Sequence, residues 1–256
     1  MEKFHIVPNF ILNPNHEISI VLIGCGGNGS LMLSRLARID YALKNSGKLG
    51  LDVTVFDDDF VEDFNVGRQM FGVGDIGENK AVTACSKINR NFFTTFNAIP
   101  EKFDFKTKAN IYITAVDNAK FRIDFDAFFK SKIEKSNNGF DYEASYYWID
   151  LGNSKNIGQC IIGSAEIDQK NNENTVSKLT TIVDKYPNLL DMDTPTIQGV
   201  GCSSFADKLN QQNLFINDSL TSMASHLLWE MLVNGFITKQ GFFINLSNMK
   251  TNPLIL

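Results

Sequence analysis

Cysteine, histidine and clustered basic residues are scarce in this sequence. Four cysteines, at positions 25, 85, 160 and 202, stand far apart in 256 residues, and no Cys-x-x-C pair occurs. That excludes the usual structural zinc knuckle and a thioredoxin-like dithiol. Disulfides are not expected in a chain that reads as cytosolic. The three histidines (His5, His16, His226) show no i,i+4 pairing, so no His-built metal site or triad is expected. Lys and Arg total 24 against 29 acids, a net charge of −5, with no long basic run. Nucleic-acid binding needs such clustering. No window is apolar enough to span a bilayer, and "MEKFHIVPNF" lacks the pattern of a signal peptide. A cytoplasmic protein with no membrane partner is the expectation.

What is present suits a large core. Hydrophobic residues make up 43% of the chain, and its 21 phenylalanines are read mainly as core. The length fits one α/β domain over residues 1–256. "ISIVLIG" (18–24) reads as a buried parallel strand. Residues 28–44 carry apolar positions at helical spacing, and "NSG" stops them. Strands follow at "LDVTVFD" (51–57), "TTFNAIP" and "NIYITAVD" (110–117), with helices at 77–90 and 118–132 between and after them. This alternation predicts a Rossmann-like, doubly wound, mostly parallel sheet. Residues 168–200 are polar and read as a long irregular crossover, a kind of segment that is often functional. "SLTSMASHLLWEMLVN" (219–234) is an amphipathic helix closed by Gly235. Its Leu227, Leu228, Met231 and Leu232 face either the core or an interface, and core is preferred. "GFFINL" and "NPLIL" close the chain as C-terminal antiparallel strands.

Two stretches carry chemistry. The first is "GCGGNGS", with Gly24, Gly26, Gly27 and Gly29 between a strand and a helix. Its G-x-G-x-x-G spacing permits a tight turn and presents helix N–H groups to a phosphate. A ligand-free turn would accept the same glycines. Taken alone, the loop fits a dinucleotide site with Asp57 on the ribose. However, Asp57 lies further from the last glycine than the usual ~20 residues, and no hydride-transfer partner is evident.

The second stretch is "FDDDFVEDFNVGRQMFG" (56–72). From the end of a strand it runs Asp57, Asp59, Val61, Asn65, Arg68, Gln69. "GENKA" then supplies Gly77 and Lys80, and "AVDNAKFR" places Asp117 and Asn118 at another strand end. Each residue has a bland reading. Asp58 reads as solvated strand end, Arg68 as a partner of Glu62 or Asp63, Lys80 as a surface lysine, and Asp117 as a helix cap.

The combination resembles the ThiF/MoeB/HesA superfamily, the ATP-dependent activators of ubiquitin-like and sulfur-carrier proteins, over about residues 18–125. The tail from Cys202 onward resembles the ThiF-family member of the PRTRC system, a mobile-element gene set that includes a ubiquitin-like protein. The resemblance implies ATP across the glycine loop and attack on its α-phosphate by a protein C-terminal carboxylate. It also implies Asp57 on the ribose, with Asp59 beside it. Asn65, Arg68 and Lys80 would surround the phosphates, Asp117 would hold Mg²⁺, and Asn118 would line the pocket. Arg68 and Lys80 would be catalytic through charge compensation, and one carboxylate suffices for a phosphate-bound Mg²⁺. A symmetric homodimer is implied too.

Members of this family often insert an N-terminal arginine into the neighbouring site, yet the first arginine here is Arg35, inside a helix. A catalytically weak nucleotide-binding scaffold therefore stays open, as does, more remotely, a nicotinamide-dependent oxidoreductase. Some members pass the acyl group to a cysteine, for which Cys202, ahead of a helix, is the candidate. Cys25 sits in the glycine loop, too close to a phosphate to serve, and Cys85 and Cys160 are read as core.

Overall fold

The computed structural model describes residues 2–136, 144–167, 173–188 and 213–256. In chain order the elements are β1 (His5–Ile6), α1 (Asn9–Leu12), β2 (Ile18–Ile23), α2 (Gly27–Asn45), β3 (Leu51–Phe56), α3 (Lys80–Phe92), β4 (Asn97–Ile99) and β5 (Ile111–Thr114). Then follow α4 (Ala119–Ser136), β6 (Tyr147–Asn153), β7 (Ile157–Ser164), α5 (Ile182–Lys185), α6 (Ile216–Asn234), β8 (Phe236–Ile237), β9 (Lys239–Asn245) and β10 (Lys250–Ile255). Eight strands form one sheet in the order β10-β9-β7-β6-β5-β2-β3-β4. The five from β6 to β4 are parallel. β7, β9 and β10 extend the sheet antiparallel. The expected α/β class and antiparallel C-terminal strands are both present.

Strand β2 sits in the middle of the five parallel strands, and its residues are apolar on both faces. Ile18, Ile20 and Leu22 join one core cluster and Val21 and Ile23 the other, as alternation along a strand requires. The first cluster is mainly aliphatic and is covered by α2, α3 and α6. Leu227, Leu228, Met231 and Leu232 of α6 are buried there, so that stripe belongs to the core. The second is aromatic: Phe103, Phe125, Phe128 and Phe129 pack with Tyr112 and Trp148. The reading of phenylalanine as core holds for this cluster, while Phe60, Phe93, Phe215 and Phe236 are exposed.

From β2 the chain winds outward through β3 to β4, and it then restarts at β5 on the other side of β2. The winding therefore reverses between β2 and β5. In open α/β sheets the crevice at the carboxyl ends of such strands is where ligands bind. Glycine 24, Asp57 and the 115–118 turn all emerge at that end.

Some boundaries differ from the expectation for a local reason. Helix α3 begins at Lys80 rather than 77 because Asn79 caps it, its Oδ1 accepting from the Val82 amide at 3.0 Å. Gly235 closes α6 as expected, with φ +75°. The described part of the crossover, 173–188, is not irregular throughout. It contains α5, and the Val176 amide donates to the Phe4 carbonyl (2.9 Å). The remainder of that segment lies outside the described residues.

Candidate functional site

Tight local packing shapes the glycine loop. Gly24 has φ +88°, and a Cβ there would stand 2.8 Å from the Ala115 carbonyl oxygen. A Cβ on Gly29 would fall 1.9 Å from the Gly24 oxygen, so only glycine lets α2 start this close to β2. A Cβ on Gly27 would meet the Asn217 side chain of α6 at 2.4 Å. Gly26 differs. Among the described residues the nearest atom to its Cβ would be Gln69 Nε2 at 3.9 Å, so none of them crowds it. The open space over Gly26, at the first turn of α2, is where a phosphate would approach the backbone.

Asp57 ends β3 and points back at this loop. One carboxylate oxygen accepts the Cys25 amide, and the other accepts the Asp59 amide at 2.8 Å. Burial raises the Asp57 pKa, and the two amide bonds and nearby Lys80 oppose that rise. Each oxygen keeps a lone pair for a ligand hydroxyl.

After Asp59 the chain makes a closed excursion. Val61 donates to Glu78 O (2.8 Å) and Gly77 to Val61 O (2.9 Å). Lys80 N donates to Asp59 O (2.9 Å). The Asn79 amide bridges the Asp57 and Asp59 carbonyls at 2.9 and 3.1 Å. The far side is fastened to α3 by the Asp75–Lys87 pair. Within the excursion Asn65 is buried, 2% exposed, and its Oδ1 accepts the Glu62 amide at 2.8 Å. The Arg68 and Gln69 amides both return to Asn65 O (3.2 and 3.0 Å). Met70 N then donates to Ser30 Oγ on α2 at 3.2 Å. Gln69 is thus brought beside the glycine loop, its Nε2 3.9 Å from where a Gly26 Cβ would stand, and the adjoining Arg68 is half-buried, its pKa lowered by burial.

Lys80 is no surface lysine. It is 8% exposed, and its Nζ lies 2.8 Å from Asp59 Oδ2. That bond uses one of its three donors. Asp58 faces solvent, 3.8 Å from Lys102, which fits its bland reading.

On the other side of β2, Asp117 and Asn118 are exposed in the turn after β5. Asn118 is the helix cap, its Oδ1 accepting the Phe121 amide at 3.1 Å, so Asp117 is not needed for that task. Among the described residues the group of three carboxylates close enough to share an ion is Asp57, Asp58 and Asp59, within 4.8 Å of one another. Asp117 stands apart from it. A single exposed carboxylate fits a magnesium ion held mostly by phosphate oxygens and water. The loop over Gly26, the Asp57 lone pairs and the Lys80 ammonium fit a nucleotide.

Cys25, Cys85 and Cys160 are buried, and burial raises their pKa, that of Cys85 to about 12. None of the three is a nucleophile at neutral pH. Cys202 lies outside the described residues. Two residues near the loop were missed at the sequence level. Gln69 was visible in the motif but given no role, and Asn217 has no local signal at all.

The profile of the ThiF family matches residues 14–184, more than half of the chain. The chain belongs to the ThiF family. No curated protein sequence matches it. Among solved structures, Escherichia coli MccB, crystallised with ATP, superposes with a TM-score of 0.58 at 17% identity, covering 96% of this chain and 64% of that one. A second MccB crystal holds AMPCPP and MccA (TM-score 0.57, 16% identity, 96% and 64% covered). PaaA gives 0.58 at 14% identity, with 96% and 66% covered. At these identities the likeness shows the ThiF-type fold. This chain spans just under two thirds of the length of MccB and PaaA. Among the described residues no helix is long and apolar enough to cross a membrane.

Proposed function

We propose that this ThiF-family chain binds Mg-ATP at the switch point and adenylates the C-terminal carboxylate of a ubiquitin-like or sulfur-carrier protein. The observation that carries the reading is Lys80, a buried ammonium at the start of α3 beside the carboxylates that close β3. A buried lysine in an acidic protein is costly unless it has anionic work. In this reading Asp57 takes the ribose hydroxyls, and the loop at Gly26 and Gly27 takes phosphate oxygens. Arg68 and Lys80 offset the polyphosphate charge. Asp117 would hold Mg²⁺, which supplies further charge compensation when bound. The carrier carboxylate oxygen attacks the α-phosphorus, the bond to the β-phosphate breaks, and pyrophosphate leaves. Positioning and charge compensation suffice for such chemistry. ATP in the MccB crystal supports the nucleotide, and exposed Phe60, Met70, Val73 and Ile76 on the excursion offer apolar surface to a protein partner.

A closed two-fold homodimer, a cytoplasmic setting, a PRTRC-type partner and the one-domain organisation belong to the same proposal. So does acyl transfer from the adenylate to the Cys202 thiolate with release of AMP. The second reading is a nucleotide-binding scaffold of the same fold, in which the Lys80 ammonium stays paired with Asp59 at 2.8 Å instead of meeting phosphate. Pyrophosphate–ATP exchange with a panel of purified ubiquitin-like and sulfur-carrier proteins separates the two. Exchange that Lys80→Ala reduces by about 10²–10³-fold supports the enzyme. Mg-ATP binding without exchange on any carrier supports the scaffold.

A further inference from the structure

A buried ion pair lies directly beneath the turn that carries Asp117. Arg122 Nε donates to Asp150 Oδ1 at 2.8 Å, with side chains 8% and 1% exposed. The same oxygen accepts from Thr114 Oγ1 (2.8 Å), and Thr114 in turn accepts from Trp148 Nε1 (2.9 Å). Asp150 Oδ2 is buried and has no hydrogen-bond partner among the described residues. A half-satisfied buried carboxylate is a poor device for stability, and an apolar pair of similar volume would serve as well or better.

What the pair adds is directional. Arg122 Nη2 donates to the Val116 carbonyl at 2.7 Å, one residue before Asp117. Gly152 leaves the room, since a Cβ there would come within 3.0 Å of Nη2. The other side of the same backbone rests on the glycine loop. Ala115 N donates to Ile23 O (2.8 Å), and the Ala115 oxygen lies where only glycine fits at 24.

We infer that Arg122, anchored on Asp150, is a positioning residue of the nucleotide site that fixes the Val116–Asn118 turn against the glycine loop. The inference rests on the nucleotide reading above. The planar fork of arginine serves Asp150 and Val116 O in two directions at once, whereas a lysine ammonium offers a point charge without that geometry.

The test compares wild type, Arg122→Lys and the double variant Arg122→Met/Asp150→Leu, which removes both charges and keeps the volume apolar. Each is titrated calorimetrically with Mg-ATP and with ATP in EDTA. Amide exchange at residues 115–118 is followed without nucleotide. The expected result is folded variants with Mg-ATP affinity lowered about 10- to 100-fold, a range typical for groups that orient a ligand-holding residue. Exchange in the turn is also expected to quicken. Folded variants that bind Mg-ATP like wild type and keep a slow-exchanging turn would overturn the inference alone. Failure of both variants to fold would assign the pair to stability and overturn it as well. Wild type that binds no Mg-ATP would remove the nucleotide reading and this inference together.

Discussion

The turns after β3 and β5 each end a parallel strand beside β2 and each carry an aspartate, yet they are held in opposite ways. Asp57 holds its own turn, because both carboxylate oxygens accept backbone amides and the group is half-buried. Asp117 is exposed and its carboxylate fastens nothing among the described residues. Its turn is fixed from below, through Arg122 and the Val116 carbonyl. Under the proposed function the difference is chemical. A group that grips ribose hydroxyls gains from rigidity and from a low local dielectric. A group that meets a hydrated magnesium ion must stay accessible to water.

The largest effect expected at these turns is at the loop they share. Gly29→Ala puts a methyl group 1.9 Å from a backbone oxygen, and it should cost more than the ~1–3 kcal/mol of ordinary overpacking. Gly26→Ala meets open space, so it should cost the fold less and weaken Mg-ATP binding instead. Thermal melts with and without nucleotide separate the two, and equal melting losses would remove the claim that Gly26 is open for a ligand.

Next comes the comparison of the aspartates. Asp57→Asn keeps one acceptor but turns an NH₂ toward a backbone amide, which should cost about 1–3 kcal/mol of stability. Asp117→Asn should stay within about 0.5 kcal/mol of wild type, as exposed substitutions usually do. It should nonetheless lose the dependence of ATP binding on magnesium. Equal destabilisation by the two changes, read from denaturant melts, would break the contrast.

The smallest expected effect lies away from the site, at His5. This buried imidazole meets Val176 O (2.6 Å) and Tyr147 Oη (3.0 Å), and burial lowers its pKa. A lowered folded-state pKa means that its stabilising contribution is present above the unfolded value of about 6.5 and is lost as pH falls through the lower folded one. His5→Gln should flatten the stability profile just below that pH and leave Mg-ATP affinity unchanged. A profile with the same slope in both proteins would contradict the assignment.

These contrasts also mark what local pattern can convey. The glycine loop, the strand ends and the return of the chain at Gln69 toward the loop were legible because each depends on residues close in sequence or on a spaced motif. The fastening of that return, Met70 N to Ser30 Oγ, was not, since a hydroxyl at the start of a helix carries no periodic signal. Asn79 looked like part of a helix and is its cap, because capping competes with helix formation only once the turn exists. The family resemblance implies ligand roles for Asn65 and Asn118. In the structure each also spends its side-chain oxygen on a backbone amide, which is commonplace for asparagine at turns. The Arg122–Asp150 pair spans 28 residues, and Asn217 reaches Gly27 from the far end of the chain. Both are products of tertiary packing and leave no mark on spacing.

The most direct test is calorimetric titration of the intact chain with Mg-ATP, against NAD and against an Asp117→Ala variant. Saturable binding of ATP that requires magnesium, is not matched by NAD and is lost in the variant is the predicted result. No binding of ATP, or preferential binding of NAD, would contradict the assignment of the switch point to Mg-ATP.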